Sequence, residues 1–146
     1  MSNFSMPTGE DYPDAARKNF IDSKSLMNKR RYDGAAYLSG YVIECIIKTL
    51  MVVDGGNPRL IHDLNRLSAD AQRLFLLPGS RTSRYFSSFP LSTISYSNPP
   101  LGWKETLRYY KEGTIPRPTA ANWFSEAGRL YRNCLGKLIK DGVVIL

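Results

Sequence analysis

Between Asp33 and Val53 apolar side chains return every three or four positions. Ala35, Leu38, Val42, Cys45, Ile46, Thr49, Leu50 and Val53 make one wide face. A second line, Tyr37, Tyr41, Glu44 and Lys48, keeps the same spacing on another side. The pattern predicts about five or six turns of helix, N-capped by Asp33 and stopped at Asp54-Gly55-Gly56. Its β-branched residues would suit a strand, but the length and the lack of alternation point to a helix buried around most of its circumference.

The flanking patterns are also helical. Tyr12-Pro13-Asp14 opens a first helix whose looser stripe (Ala15, Ala16, Phe20, Ile21, Leu26, Met27) runs to Asn28. The short corner Tyr32-Asp33-Gly34 then predicts an antiparallel hairpin. Leu60, Ile61, Leu64, Leu67, Leu74, Phe75 and Leu77 mark a third region, ended by Pro78-Gly79. Within it Ser68-Ala69-Asp70 reads as the cap of a fresh helix, giving a short turn and then a longer helix. Residues 103–111 predict a short helix. A closing helix follows, capped by Thr119, periodic from Ala120 through Trp123, Phe124, Leu130, Cys134 and Leu135 to Ile139, and stopped at Asp141-Gly142. Residues 1–11 read as a loose tail and 78–101 as a long Ser/Pro-rich loop. The expected architecture is all-α: one domain over residues 1–146, an up-and-down bundle of four to five helices.

Composition narrows the picture. The 146 residues are 42% hydrophobic, enough for one core. Glu44 and Lys48 interrupt the most apolar run, and the N-terminus is polar and acidic, so neither a membrane span nor a signal peptide is expected and a cytoplasmic location is. The two cysteines, Cys45 and Cys134, fall on apolar faces and read as free thiols. No Cys/His cluster has ligand spacing, so no metal and no cofactor are expected. A net charge of +7 makes a nucleic acid or another acidic partner credible, although basicity alone gives only non-specific attraction. In the long loop Arg81 and Arg84 lie beside Tyr85 and Phe86, with Phe89 and Tyr96 further on. That mixture serves phosphate contact and base stacking, or else the aromatics fold the loop back as a cover. Lys29-Arg30-Arg31 reads either as cations suiting the C-terminal end of the first helix or as a phosphate clamp.

The order AAYLSGYVIECIIKTLM (35–51), a glycine-containing turn, IHDLNRLS (61–68), LRYY (107–110) and WFSEAGRLY (123–131) resembles the HEPN domain family. Gly40-Tyr41-x-x-Glu44 followed by His62-Asp63-Leu64 carries most of the likeness. The resemblance implies a helical bundle that commonly forms homodimers and takes part in nucleotide and RNA transactions. Some members partner a minimal nucleotidyltransferase, usually in toxin–antitoxin systems, and others are metal-independent ribonucleases bearing Arg and, four to six residues on, His. Here Arg132 is the candidate arginine, but Lys137, Leu138 and Ile139 stand where the histidine belongs, and the sole histidine is His62. Lys137 could stabilise phosphate charge but is poorly suited to moving a proton near neutrality. The expected role is therefore a non-catalytic nucleotide-binding or interaction protein, with an RNA-binding or degenerate ribonuclease reading and a ligand-free structural dimer as alternatives.

Glu44 is the residue to single out, because a carboxylate on a buried helix must be paired or face a cavity. Lys48 lies one turn on, and Arg108 or Arg132 could reach it from other helices. A polar pocket of Tyr41, Glu44, Lys48, His62, Asp63, Arg108 and Tyr109 would put arginine on phosphate, tyrosine against a base and a carboxylate on sugar or base. The competing reading is a polar network that fixes helix register, with His62 and Asp63 as helix caps.

Overall fold

The computed structural model describes residues 1–58, 60–86 and 102–146. Its elements are α1 (Tyr12–Asn28), α2 (Tyr32–Val53), α3 (Leu64–Phe75), the single turn α4 (Ser83–Phe86), a 3-10 turn (Glu105–Tyr109), and a closing rod of α5 (Arg117–Leu130), a π turn (Tyr131–Leu135) and α6 (Gly136–Lys140). The chain is an all-α helical bundle, with no strand among the described residues. Phe89, Tyr96 and the rest of 87–101 lie outside the described residues.

Helix α2 is the axis. From Ala35 to Met51 every residue except Tyr37, Leu38 and Tyr41 is buried, and the helix packs on α1, α5 and α3. By length and composition α2 is apolar enough to cross a membrane in spite of Glu44 and Lys48, contrary to the sequence expectation. The apolarity serves the core: 78% of its most apolar window is buried inside the bundle.

Helix α1 runs antiparallel to α2, as the short corner requires. Lys48 Nζ sits 5.3 Å from the centre of the Tyr12 ring, Ser23 Oγ is 2.9 Å from Ser39 Oγ, and Leu26 packs over Gly34. Both serine hydroxyls donate to the Ala35 carbonyl at 2.8 Å, so the buried polar atoms at this seam are satisfied within it. On the opposite side Phe20 stacks on Tyr131 and Phe124, with centroids 4.6 and 5.6 Å apart. Trp103 lies flat against α2 at Gly40, where an added Cβ would sit 1.9 Å from its Nε1, and that nitrogen donates to the Tyr37 carbonyl at 2.9 Å.

Several boundaries differ from the sequence expectation, each for a local reason. Asp33 lies inside the first turn of α2 and is not its cap. Its two oxygens accept from the backbone N–H groups of Gly113 (2.6 Å) and Ile115 (2.7 Å), tying the loop before α5 to the corner. Arg31 holds the N-cap position with no side-chain bond. Helix α3 is unbroken, with Ser68 buried within it and Asp63 capping its start through the Arg66 N–H at 2.7 Å. The closing helix begins at Arg117 behind Pro116, not at Thr119, because Pro118 suits the second helical position. The helix expected over 103–111 is a 3-10 turn confined to Glu105–Tyr109. Residues 1–11 are not loose. Asn3 exchanges hydrogen bonds with Ile145, Ser2 Oγ donates to Asp11, and Val144 enters the core at 1% exposure.

Candidate functional site

The spacing of four, three and four residues along α2 carries Tyr37, Tyr41, Glu44 and Lys48 down one stripe, whose Lys48 end meets Tyr12 at the start of α1. Glu44 and Lys48 are 3% and 4% exposed, and their charges meet at 2.8 Å through Oε1. The same oxygen lies 3.0 Å from His62 Nδ1, which arrives from the segment before α3. Glu44 Oε2 is buried with no hydrogen-bond partner among the described residues. An orphaned carboxylate oxygen in this setting costs on the order of 1–3 kcal/mol, so the network holds the helices together and is incomplete at one atom.

Glu44, Lys48, Tyr41 and His62 line a cavity of about 500 Å³, closed on its other side by Lys18 and Asn19 of α1 and by the Gly9–Asp11 segment. Its charged groups are Glu10, Asp11, Asp14 and Glu44 against Lys18 and Lys48. Lys48 is held by Glu44, Asp14 by Arg17 and Asp11 by Ser2, so an acceptor left over is Glu44 Oε2, which suits a hydrogen-bond donor such as an amino group of a base or a hydroxyl of a sugar. Burial pushes the Tyr41 hydroxyl well above its usual range, and the hydrogen bond from Tyr37 and the Glu44 charge add to the shift. Tyr41 therefore stays neutral and keeps both donor and acceptor capacity. Cys45, also on the cavity wall, is pushed up to about 12 by burial and by the neighbouring Glu44 charge, so it is a protonated thiol at neutral pH.

The other sequence candidates fall elsewhere. Asp63 uses its carboxylate as the α3 cap and lines a neighbouring cavity of about 470 Å³ with His62, Trp103 and Lys104. Arg108 lies over the Tyr109 ring at 4.9 Å and lines a third cavity at the α1–α2 corner. Tyr109 is 74% exposed. Neither Arg108 nor Arg132 is the partner of Glu44; Lys48 and His62 are.

In the basic loop the Arg81 backbone N–H donates to Asp54, which also accepts from Ser80 and Thr82. Arg84 pairs with Asp141 at 2.8 Å, and the Tyr85 hydroxyl donates to the same carboxylate at 2.6 Å. Tyr85 is 2% exposed, so its ring covers the body and does not present a face to a base; Phe86 ends the turn α4. Arg132 and Lys137 are exposed on the closing rod. There a π turn, closed by the Gly136 N–H on the Tyr131 carbonyl, interrupts the α-helical rod between the two residues.

Sequence reasoning passed over Trp103, which roofs the stripe between Tyr37 and Tyr41, with ring centroids 6.4 and 5.2 Å away, and over Lys18 and Asn19 of α1. The one available signal was Gly40, since glycine inside a buried helix usually marks a close approach by another group.

Residues 10–88 match the family model of the HEPN domain, a span that contains the whole α1–α2 hairpin, Glu44, His62 and α3. No curated protein matches the chain, and no solved structure does.

Proposed function

The chain belongs to the HEPN domain family, and from that membership we propose that it is a non-catalytic nucleotide-binding and interaction module whose ligand enters the Glu44 cavity. The observation that carries this reading is the half-satisfied carboxylate. Glu44 is buried, its Oε1 is held by Lys48 and His62, its Oε2 has no partner among the described residues, and the residue lines a cavity large enough for a nucleoside. A nucleoside edge would supply the missing donor, and Tyr41, neutral and half-buried, would bond the sugar or lie against the base.

Catalysis is left out of the reading because Arg132 is not followed by a histidine and the single histidine is engaged at Glu44. The module would act in the cytoplasm as a homodimer and with a nucleotidyltransferase partner, as part of a toxin–antitoxin or defence pair. Those parts rest on the family alone.

The test is titration calorimetry and native mass spectrometry with a panel of nucleosides and nucleotides, on the wild type and on Glu44→Gln. Glutamine keeps the size and one acceptor while removing the charge. The expected result is stoichiometric uptake of a nucleoside-bearing ligand by the wild type, weakened at least about tenfold in Glu44→Gln, which is the size of one hydrogen bond to a charged group. A wild-type protein that ignores the whole panel sinks the proposal and leaves Glu44 as a packing device.

A further inference from the structure

We propose that the corner where α1 turns into α2 is a separate binding site for a small phosphorylated ligand carrying a planar ring. The corner encloses about 420 Å³, within the range of small-molecule sites. Arg30, Arg31 and Arg108 reach its wall from three backbone positions, and Tyr32, Tyr37 and Tyr110 supply aromatic surface. Among the described residues Arg30, Arg31 and Arg108 enter no ion pair with a carboxylate, and Arg108 lies over the Tyr109 ring and near the Tyr37 and Tyr41 hydroxyls. The acids on the wall are Asp33 and Glu112. Asp33 has both oxygens committed to the Gly113 and Ile115 N–H groups, so it is not positioned to neutralise the guanidiniums.

As cations Arg30 and Arg31 suit the negative end of α1, but not the backbone conformation and the helix start that they occupy. Arg30 adopts φ 58°, a left-handed conformation that glycine or asparagine takes at lower cost. Arg31 occupies the N-cap of a 22-residue helix, where Ser, Thr, Asp or Asn would bond the open N–H groups and where a cation opposes the macrodipole. A cation at the start of α2 opposes the dipole of that helix, and an anion held beside it would offset the opposition. Three fork-shaped guanidiniums suit the several oxygens of a phosphate, and the tyrosines suit a ring attached to it. The Glu44 cavity, where four acids face two lysines, offers no such complement to phosphate.

The same argument supplies a variant that separates binding from folding. Arg30→Gly gives the left-handed position its preferred residue, and Arg31→Ser gives α2 a capping side chain, so the double variant keeps the fold while losing two guanidiniums. Arg73→Ser removes an exposed cation from α3 and serves as the charge control. Inorganic pyrophosphate and AMP are titrated calorimetrically into each protein at low and at 0.3 M salt. Support is AMP binding tighter than pyrophosphate in the wild type and in Arg73→Ser, both weakening with salt, and both falling at least about tenfold in Arg30→Gly/Arg31→Ser with an unchanged or higher melting temperature. No uptake of either probe at millimolar concentration, or a double variant that binds like Arg73→Ser, overturns the site. Pyrophosphate binding as tightly as AMP overturns its ring-binding half. A short RNA taken up while both probes are ignored overturns it in favour of a nucleic-acid surface. Adenosine uptake that is lost in Glu44→Gln and unchanged in Arg30→Gly/Arg31→Ser reads the Glu44 cavity, so the two readings fail separately.

Discussion

A charged side chain inside a core and a glycine on a buried helix face each call for a neighbour that accounts for them. Glu44 announced itself because a carboxylate in an apolar helical face has to be accounted for, and its neighbour one turn on, Lys48, proved to be its partner at 2.8 Å. Trp103 gave no such signal, because its role depends on α2 being bare at Gly40, a pairing between segments far apart in the chain. The contact makes a sharp prediction. Gly40→Ala gains about 1 kcal/mol of helix propensity, but the new methyl would meet the indole Nε1 at 1.9 Å. Overpacking of a core typically costs about 1–3 kcal/mol, and here the upper end applies because the ring is also anchored to the Tyr37 carbonyl. The net expectation is a loss of about 2 kcal/mol in urea unfolding, with a changed Trp103 emission in the native state. An alanine variant as stable as the wild type would mean that the indole does not rest on Gly40.

The helices themselves were legible because period and punctuation agreed: α1 and the end of α2 fall where Pro13, Asn28 and Asp54-Gly55 place them. What escaped were features that periodicity cannot encode. A five-residue π turn inside an otherwise regular helix shifts the apolar stripe too little to be seen, and an aspartate in a first turn looks the same whether it caps its own helix or, like Asp33, reaches a distant loop. The N-terminal segment was missed because its contacts are made by polar atoms. Asp11 caps α1 through the Asp14 N–H and also holds Ser2. Burial acts to raise its pKa, but the hydrogen bonds from Ser2 and Asp14 and the nearby terminal amino group together hold it below the ordinary 3.8. A group depressed on folding contributes stability that is present above the unfolded value and lost as pH falls through the folded one. The attachment of residues 1–11 is therefore expected to weaken below about pH 4, seen as a loss of amide protection at Ser2 and Asn3 relative to the unfolded-chain exchange rate at the same pH. In Asp11→Asn that protection should already be low at neutral pH and change little on acidification. An acid response shared by both proteins would place its origin at another carboxylate.

At the scale of the molecule, the bundle could be read from pattern alone, whereas the predicted pocket could not be read as a whole. Its seven residues separate because each follows its own element. Tyr41, Glu44 and Lys48 share the α2 stripe, His62 is brought to them by the segment before α3, Asp63 caps α3, Arg108 lines the corner cavity from the 3-10 turn, and Tyr109 is exposed to solvent. Whether the Glu44 group exists for stability or for a ligand can be decided by a double-mutant cycle. Removing one charge of a buried pair strands the other, so Glu44→Leu and Lys48→Met should each cost about 3–5 kcal/mol. Replacing both at once leaves an apolar seam of similar volume, which in other buried pairs is neutral or stabilising, and His62, 43% exposed, can turn to solvent. The double variant is therefore expected to unfold within about 1 kcal/mol of the wild type or above it. If the pair served only to hold the bundle together, nothing but stability would register the exchange. If Glu44 receives a nucleoside, Glu44→Leu/Lys48→Met is a well-folded protein that no longer takes one up. Nucleoside binding retained in the double variant would remove Glu44 from the site, while a double variant as unstable as the singles would show that the seam needs its charges.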